Sequence, residues 1–140
     1  MLGRPIIVTS WTANVLFVAT AVPFALGADG FEGVAVGVAV ALFGLSLVVW
    51  TWAFVVALVR SSQGDDLAVA SLYLTVGDAP RSVRWQLFGA LAACLLITVG
   101  TAAADPFGVL VPMLPLGLVG LWAARHGTFP PRAVPDRRAR

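Results

Sequence analysis

Residues 65–84 read DDLAVASLYLTVGDAPRSVR, an apolar run fenced by charge at both ends, and whether that run crosses a membrane decides the topology of the whole chain. As a helix, residues 67–76 reach about 15 Å, half of the roughly 30 Å thickness of bilayer hydrocarbon. A crossing would also put Arg81 and Arg84 on the side opposite Arg60 and scatter the basic residues over both faces. The expectation is therefore a short helix over 66–76 lying at the membrane surface, with Asp65 or Asp66 as its N-cap and Gly77 as its stop.

Outward from this stretch, four runs are long and apolar enough to span: 6–27, 34–59, 85–103 and 106–124. The fold class is all-α, a polytopic membrane protein of four transmembrane helices arranged as two hairpins plus the short interfacial helix. The first connection carries Asp29 and Glu32 and the third little more than Asp105, and neither holds an arginine. Arg4, then Arg60, Arg81 and Arg84, then Arg125, Arg132, Arg137, Arg138 and Arg140 all fall on the other side. The positive-inside rule places that side, and both termini, in the cytoplasm. Residues 1–127 form the transmembrane domain. Residues 128–140, rich in proline and arginine with few apolar side chains, are expected to be a disordered basic tail.

Composition supports lipid as the solvent, since 59% of the chain is hydrophobic and only 11% charged, against roughly 25% in a soluble domain. All nine basic residues are arginine in a chain dominated by Ala, Val, Leu and Gly, the bias of a high-GC bacterial gene. A bacterial cytoplasmic (inner) membrane is the expected location. A formal charge of +2, concentrated in the C-terminal run, points to an anionic leaflet and away from nucleic acid. Cys94 is the single cysteine, so no internal disulfide or multi-cysteine metal site exists, and AACLLI around it reads as helix packing. Arg4, the following apolar run and Ala25-Leu26-Gly27 imitate a secretory signal and its cleavage site. Ser10, Thr12 and Asn14 within the run favour a retained helix.

The second helix has a stretch that needs covering. Counting about 30 Å inward from Gly33 reaches Trp50 and Trp52, expected interface anchors, and the AFVVALV that follows protrudes about 10 Å. The 66–76 helix is expected to lie over it, with the Tyr73 hydroxyl kept near water. The same helix places Gly33, Gly37, Ala41 and Gly44 on one face, where another backbone can approach closely. Packing inside the protein is the first expectation for this stripe, with a homo-oligomer seam and a ligand groove as alternatives. Asn14, one turn from Ser10, is the most polar side chain of the expected core. It reads as an interhelical hydrogen-bonding pin, with lining of a polar path the alternative. Pro23, Pro112 and Pro115 remove ladder hydrogen bonds, and a bend is expected in the fourth helix. Asp105-Pro106 reads as an N-cap followed by a first-turn proline.

No Asp, Glu, Arg or His lies deep inside any of the four runs, so the usual proton relays and ion-coupling groups are missing. No His-Glu-x-x-His, paired membrane aspartates or Gly-x-Ser-x-Gly occurs either, and no catalytic, cofactor or metal residue is assigned. Lone His126 reads as a solvated helix end. Arg81, Arg84, Arg125 and Arg132 are the candidates for docking anionic inner-leaflet lipids or a protein partner. The expected function is a non-enzymatic accessory or interaction subunit of a membrane complex, with a protein partner or a second copy of the chain. A small oligomeric passive channel or transporter using the Ser10/Asn14 face is the alternative.

Overall fold

The computed structural model describes residues 3–68, 72–73 and 79–132, and within them the regular structure is helical, with one isolated bridge between Asp65 and Pro131. The helices are α1 (Arg4–Ala25), α2 (Glu32–Ser62), α3 (Arg81–Thr101) and α4 (Met113–His126), with a 3-10 helix, Pro106–Leu110, directly before α4. α1, α2, α3 and the combined segment Pro106–His126 are four helices long and apolar enough to cross a membrane.

Local chemistry sets the ends. Pro5 sits in the first turn of α1, where its missing N–H costs nothing. At the other end Gly27 takes φ 82°, while its N–H bonds the Phe24 carbonyl and that of Ala28 bonds the Pro23 carbonyl. This is a Schellman stop, and it turns the chain toward α2. α2 starts with Glu32 and ends with Arg60 in its last turn, both matched to the helix dipole. Its 31 residues reach about 46 Å, well beyond the hydrocarbon. α2 and α3 both extend past the expected 34–59 and 85–103 at their charged ends, because a helix tolerates serine and arginine at its ends where a hydropathy window does not.

The fourth span is broken, as its prolines require. Asp105 caps the 3-10 turn, its Oδ1 accepting from the Gly108 N–H at 3.2 Å. Pro112 cannot donate to the Gly108 carbonyl, which instead accepts from the Val111 N–H at 3.1 Å, and the Thr98 hydroxyl of α3 approaches it at 3.4 Å. Beyond the break α4 is buried from Gly117 through Ala124 on every face. A helix apolar all round belongs in the centre, and α4 is the strut about which the others gather.

The most extensive packing runs between the two halves of the chain, α2 along α4 and α1 along α3, more than within the expected hairpins. Small residues on α4 make the first seam possible. A Cβ built on Gly117 would lie 2.9 Å from the Trp50 ring, whose Nε1 donates to the Met113 carbonyl at 3.0 Å. In the second seam Asn14 Nδ2 donates to the Ala90 carbonyl at 2.7 Å, and Trp11 Nε1 to Gln86 Oε1 at 2.8 Å. Phe17, Leu87, Cys94, Leu114 and Val119 fill the space between.

The protruding end of α2 is covered on one side only, at Ala53, Val56 and Ala57, while Phe54, Val55, Leu58 and Val59 stay exposed, and the cover comes from more than the expected segment. Ala57, Leu72 and Ala124 form a second apolar cluster joined by Leu67, Tyr73 and Phe129. The helix expected over 66–76 does not start at Asp66: residues 66–68 carry no regular structure, Leu72 and Tyr73 are helical, and 69–71 and 74–78 lie outside the described residues. Asp65 is occupied elsewhere, paired with Arg60 Nε at 2.9 Å. The tail expected to be free from 128 onward is seated through Arg132, because Phe129 supplies an apolar anchor. The Asp66 N–H bonds the Pro130 carbonyl at 2.9 Å and the Arg132 N–H the Gly64 carbonyl at 2.8 Å. Residues 133–140 lie outside the described residues.

Candidate functional site

The small-residue stripe of α2 corrects the expectation of internal packing. Gly33, Gly37, Ala41 and Gly44 are all exposed, and a Cβ built on any of the three glycines meets no atom within 4 Å. The face turned inward carries Ala35, Ala39, Leu42, Ser46, Ala53 and Ala57. The odd positions from 33 to 41 are all Gly or Ala, so α2 offers two narrow stripes roughly opposite each other. One persists. Continuing from Ala35 and Ala39 it meets Ser46, Ala53 and Ala57, with Leu42 the one larger side chain among its buried positions, whereas the glycine register runs into Val48, Trp52 and Val55. The stripe that returns to small residues is the one turned inward.

Asn14 is 3% exposed and faces α3, which makes it a pin between helices. Its Oδ1, with the Oγ of Ser10, is buried without a hydrogen-bond partner, an uncommon condition for interior polar atoms. Asp105 is the larger surprise. Expected at an outer turn, its side chain is 0% exposed and lies beside Gly108, with Oδ2 lacking a hydrogen-bond partner among the described residues. Its N-cap role was legible from Asp-Pro; its burial was not, because it depends on tertiary packing, with Phe17 of α1 also reaching the turn at Gly108.

The nominated arginines do not form one cluster. Arg81 and Arg84 open α3, exposed, at the helix end where the dipole opposes a cation. Arg84 borders a separate small pocket with Trp85 and Phe88. Arg132 donates to Ser61 Oγ at 2.9 Å. Arg125 lies 5.9 Å from the centre of the Trp52 ring and makes no ion pair among the described residues.

A second arginine at this end, Arg60, is one that sequence reasoning did not nominate. Arg60 Nη1 donates to the Ala124 and Gly127 carbonyls at 3.1 and 2.8 Å, its Nε holds Asp65, and its guanidinium sits 4.7 Å from the centre of the Phe129 ring. It therefore closes the end of α4, which would otherwise leave carbonyls without partners. A last-turn arginine followed by Asp65 was the available signal. Gly3, Arg60, Arg125 and His126 together border a cavity of about 570 Å³ at this end of the bundle. An apolar groove of about 600 Å³ along Thr51, Trp52 and Val55 adjoins it. Among the described residues no three of His, Cys, Asp and Glu converge as metal ligands. No protein-family model, curated protein or solved structure matches the chain.

Proposed function

We propose that this chain is a multi-pass protein of the bacterial cytoplasmic membrane, with both termini inside, that works as a non-enzymatic accessory subunit by presenting one face of α2 to a transmembrane helix of a partner. The observation that carries the reading is the exposed glycine stripe. Each glycine in a helix costs about 1 kcal/mol relative to alanine, and the monomer's packing gives no return for the three, since a Cβ at Gly33, Gly37 or Gly44 meets nothing within 4 Å. In lipid the return comes from a second helix, whose backbone can come close only where side chains are missing. The dry environment of Asn14, turned to α3 at 3% exposure, supports a pin and not the lining of a transport path.

Orientation rests on charge. The Arg60 and Arg125 end is the basic one and the Asp29, Glu32 and Asp105 end the acidic one. Anionic lipid headgroups are the counterpart for the basic end.

The test is extraction from native membranes in a mild detergent. A partner at fixed stoichiometry, released by Gly37→Leu while the melting profile of the chain itself is unchanged, is the expected result. Recovery of the wild-type chain alone, or a partner indifferent to Gly37→Leu and Gly44→Leu, overturns the proposal.

A further inference from the structure

The geometry points to a binding site for one anionic phospholipid at the basic end of α2, with the headgroup phosphate in the Arg60/Arg125 cavity and an acyl chain along the adjoining groove. The two spaces are continuous, because Val56 and Arg125 border both. They differ in chemistry. The cavity has Arg60, Arg125 and His126 among its walls, beside Pro5, Ile6 and Ala124. The groove is walled by Val48, Trp52, Val55 and Val56, the first three each at least half exposed.

A free anion would satisfy the cavity and leave the groove open; a neutral lipid would satisfy the groove and leave Arg125 without a counter-charge. An anionic phospholipid satisfies both, and this complementarity commits the site to that occupant. Arg60 is already spent on Asp65 and on the carbonyls of Ala124 and Gly127. It gives the cavity a fixed wall, and Arg125, which stacks near the Trp52 ring and makes no ion pair among the described residues, is the group left to take the phosphate. Residues 48–56 of α2 run about 12 Å along the helix, so the groove continues from the basic end toward the bilayer interior, the direction an acyl chain takes. The lipid site is separate from the glycine stripe and does not rest on the partner-helix proposal.

The experiment is native mass spectrometry of the full chain released from mixed micelles holding equal amounts of phosphatidylglycerol and phosphatidylcholine. One retained phosphatidylglycerol per chain is expected, in preference to phosphatidylcholine. Arg125→Gln should reduce that preference about fivefold, the worth of one basic residue near an anionic headgroup, while Arg81→Gln, at the exposed start of α3, leaves it unchanged. Val48→Trp, which fills the groove from its exposed side, should lower retention of both lipids. Inorganic phosphate alone should fail to displace the bound lipid. Equal retention of the two lipids by the wild type, equal effects of Arg125→Gln and Arg81→Gln, indifference to Val48→Trp, or full displacement by phosphate each overturn the assignment.

Discussion

Two glycines subjected to the same one-carbon change should respond with opposite signs. At Gly117 of α4 an added Cβ would sit 2.9 Å from both Cδ1 and Nε1 of Trp50 and 3.3 Å from Val49 Cγ1. Ordinary carbon contacts lie near 3.5–4.0 Å, so the ring would have to retreat by about 0.6 Å or more. It has little room, since Nε1 is held by the Met113 carbonyl at 3.0 Å and the ring meets Tyr73 at a centroid distance of 6.0 Å. Overpacking of this kind costs about 1–3 kcal/mol, and weakening an interhelical hydrogen bond in lipid adds about 0.5–1 kcal/mol. The better helix propensity of alanine returns about 1 kcal/mol. Gly117→Ala should therefore lose about 0.5–3 kcal/mol. Gly37→Ala has the propensity gain and no clash, and should gain about 0.5–1 kcal/mol. The assay is reversible unfolding of the purified chain in mixed dodecyl maltoside and sodium dodecyl sulfate micelles, followed by far-ultraviolet circular dichroism. A Gly117→Ala chain as stable as the wild type, or a Gly37→Ala chain that loses stability by itself, would refute the assignment of the inner and outer faces of α2.

The remaining predictions concern polar groups at the seams and the basic end. Asn14→Ala should lose about 1 kcal/mol in the same unfolding assay, and Asn14→Asp more, because it sets an acceptor against the Ala90 carbonyl that Nδ2 now reaches at 2.7 Å; equal losses would show that the donor is immaterial. Arg60→Gln should speed amide hydrogen exchange at Asp66 and Arg132, whose N–H groups bond the Pro130 and Gly64 carbonyls, since it removes the contacts that bind the α4 end and Phe129 to α2. Arg60→Lys should restore little of this protection, because a lysine cannot reproduce the fork that serves Asp65 and two carbonyls together, and full protection in Arg60→Lys would contradict the account. Burial raises the ionisation of Tyr73, the single tyrosine, above the usual phenol value. Its tyrosinate absorbance should therefore appear at higher pH in the folded chain than after unfolding, and stability should be retained below the ordinary phenol range and fall as pH rises through the folded value.

What was legible in the sequence, and what was not, divides along a physical line. Span length, the broken fourth helix, the Asp105 cap and the segregation of arginine are properties of consecutive residues, and hydropathy, proline chemistry and charge counting recover them directly. The inward face of α2 is not such a property over residues 33–44, where Gly and Ala alternate with Val and both stripes are equally narrow. It becomes one only when followed to residue 57, because the Ala35 register returns after Leu42 to small residues at Ser46, Ala53 and Ala57 while the Gly33 register thickens at Val48. The burial of Asp105 was illegible at any length, since it depends on tertiary packing at the turn, where Phe17, distant in the chain, reaches Gly108.

The thickening of the outward register also accounts for the form of that face. Positions 33, 37, 41 and 44 leave it flat over the first third of α2, and Val48, Trp52 and Val55 then raise one wall of the groove that leads to Arg125. A flat stripe admits a helix backbone and a walled groove admits a flexible chain, so the outward side of α2 carries two shapes in sequence. The basic residue stands only beside the second. A partner helix laid on the glycines need not displace a lipid held at Arg125, and substitutions at Gly37 and at Arg125 should therefore be independent in their effects on partner recovery and on lipid retention. Strong coupling between them, in either readout, would mean that one occupant covers the whole face.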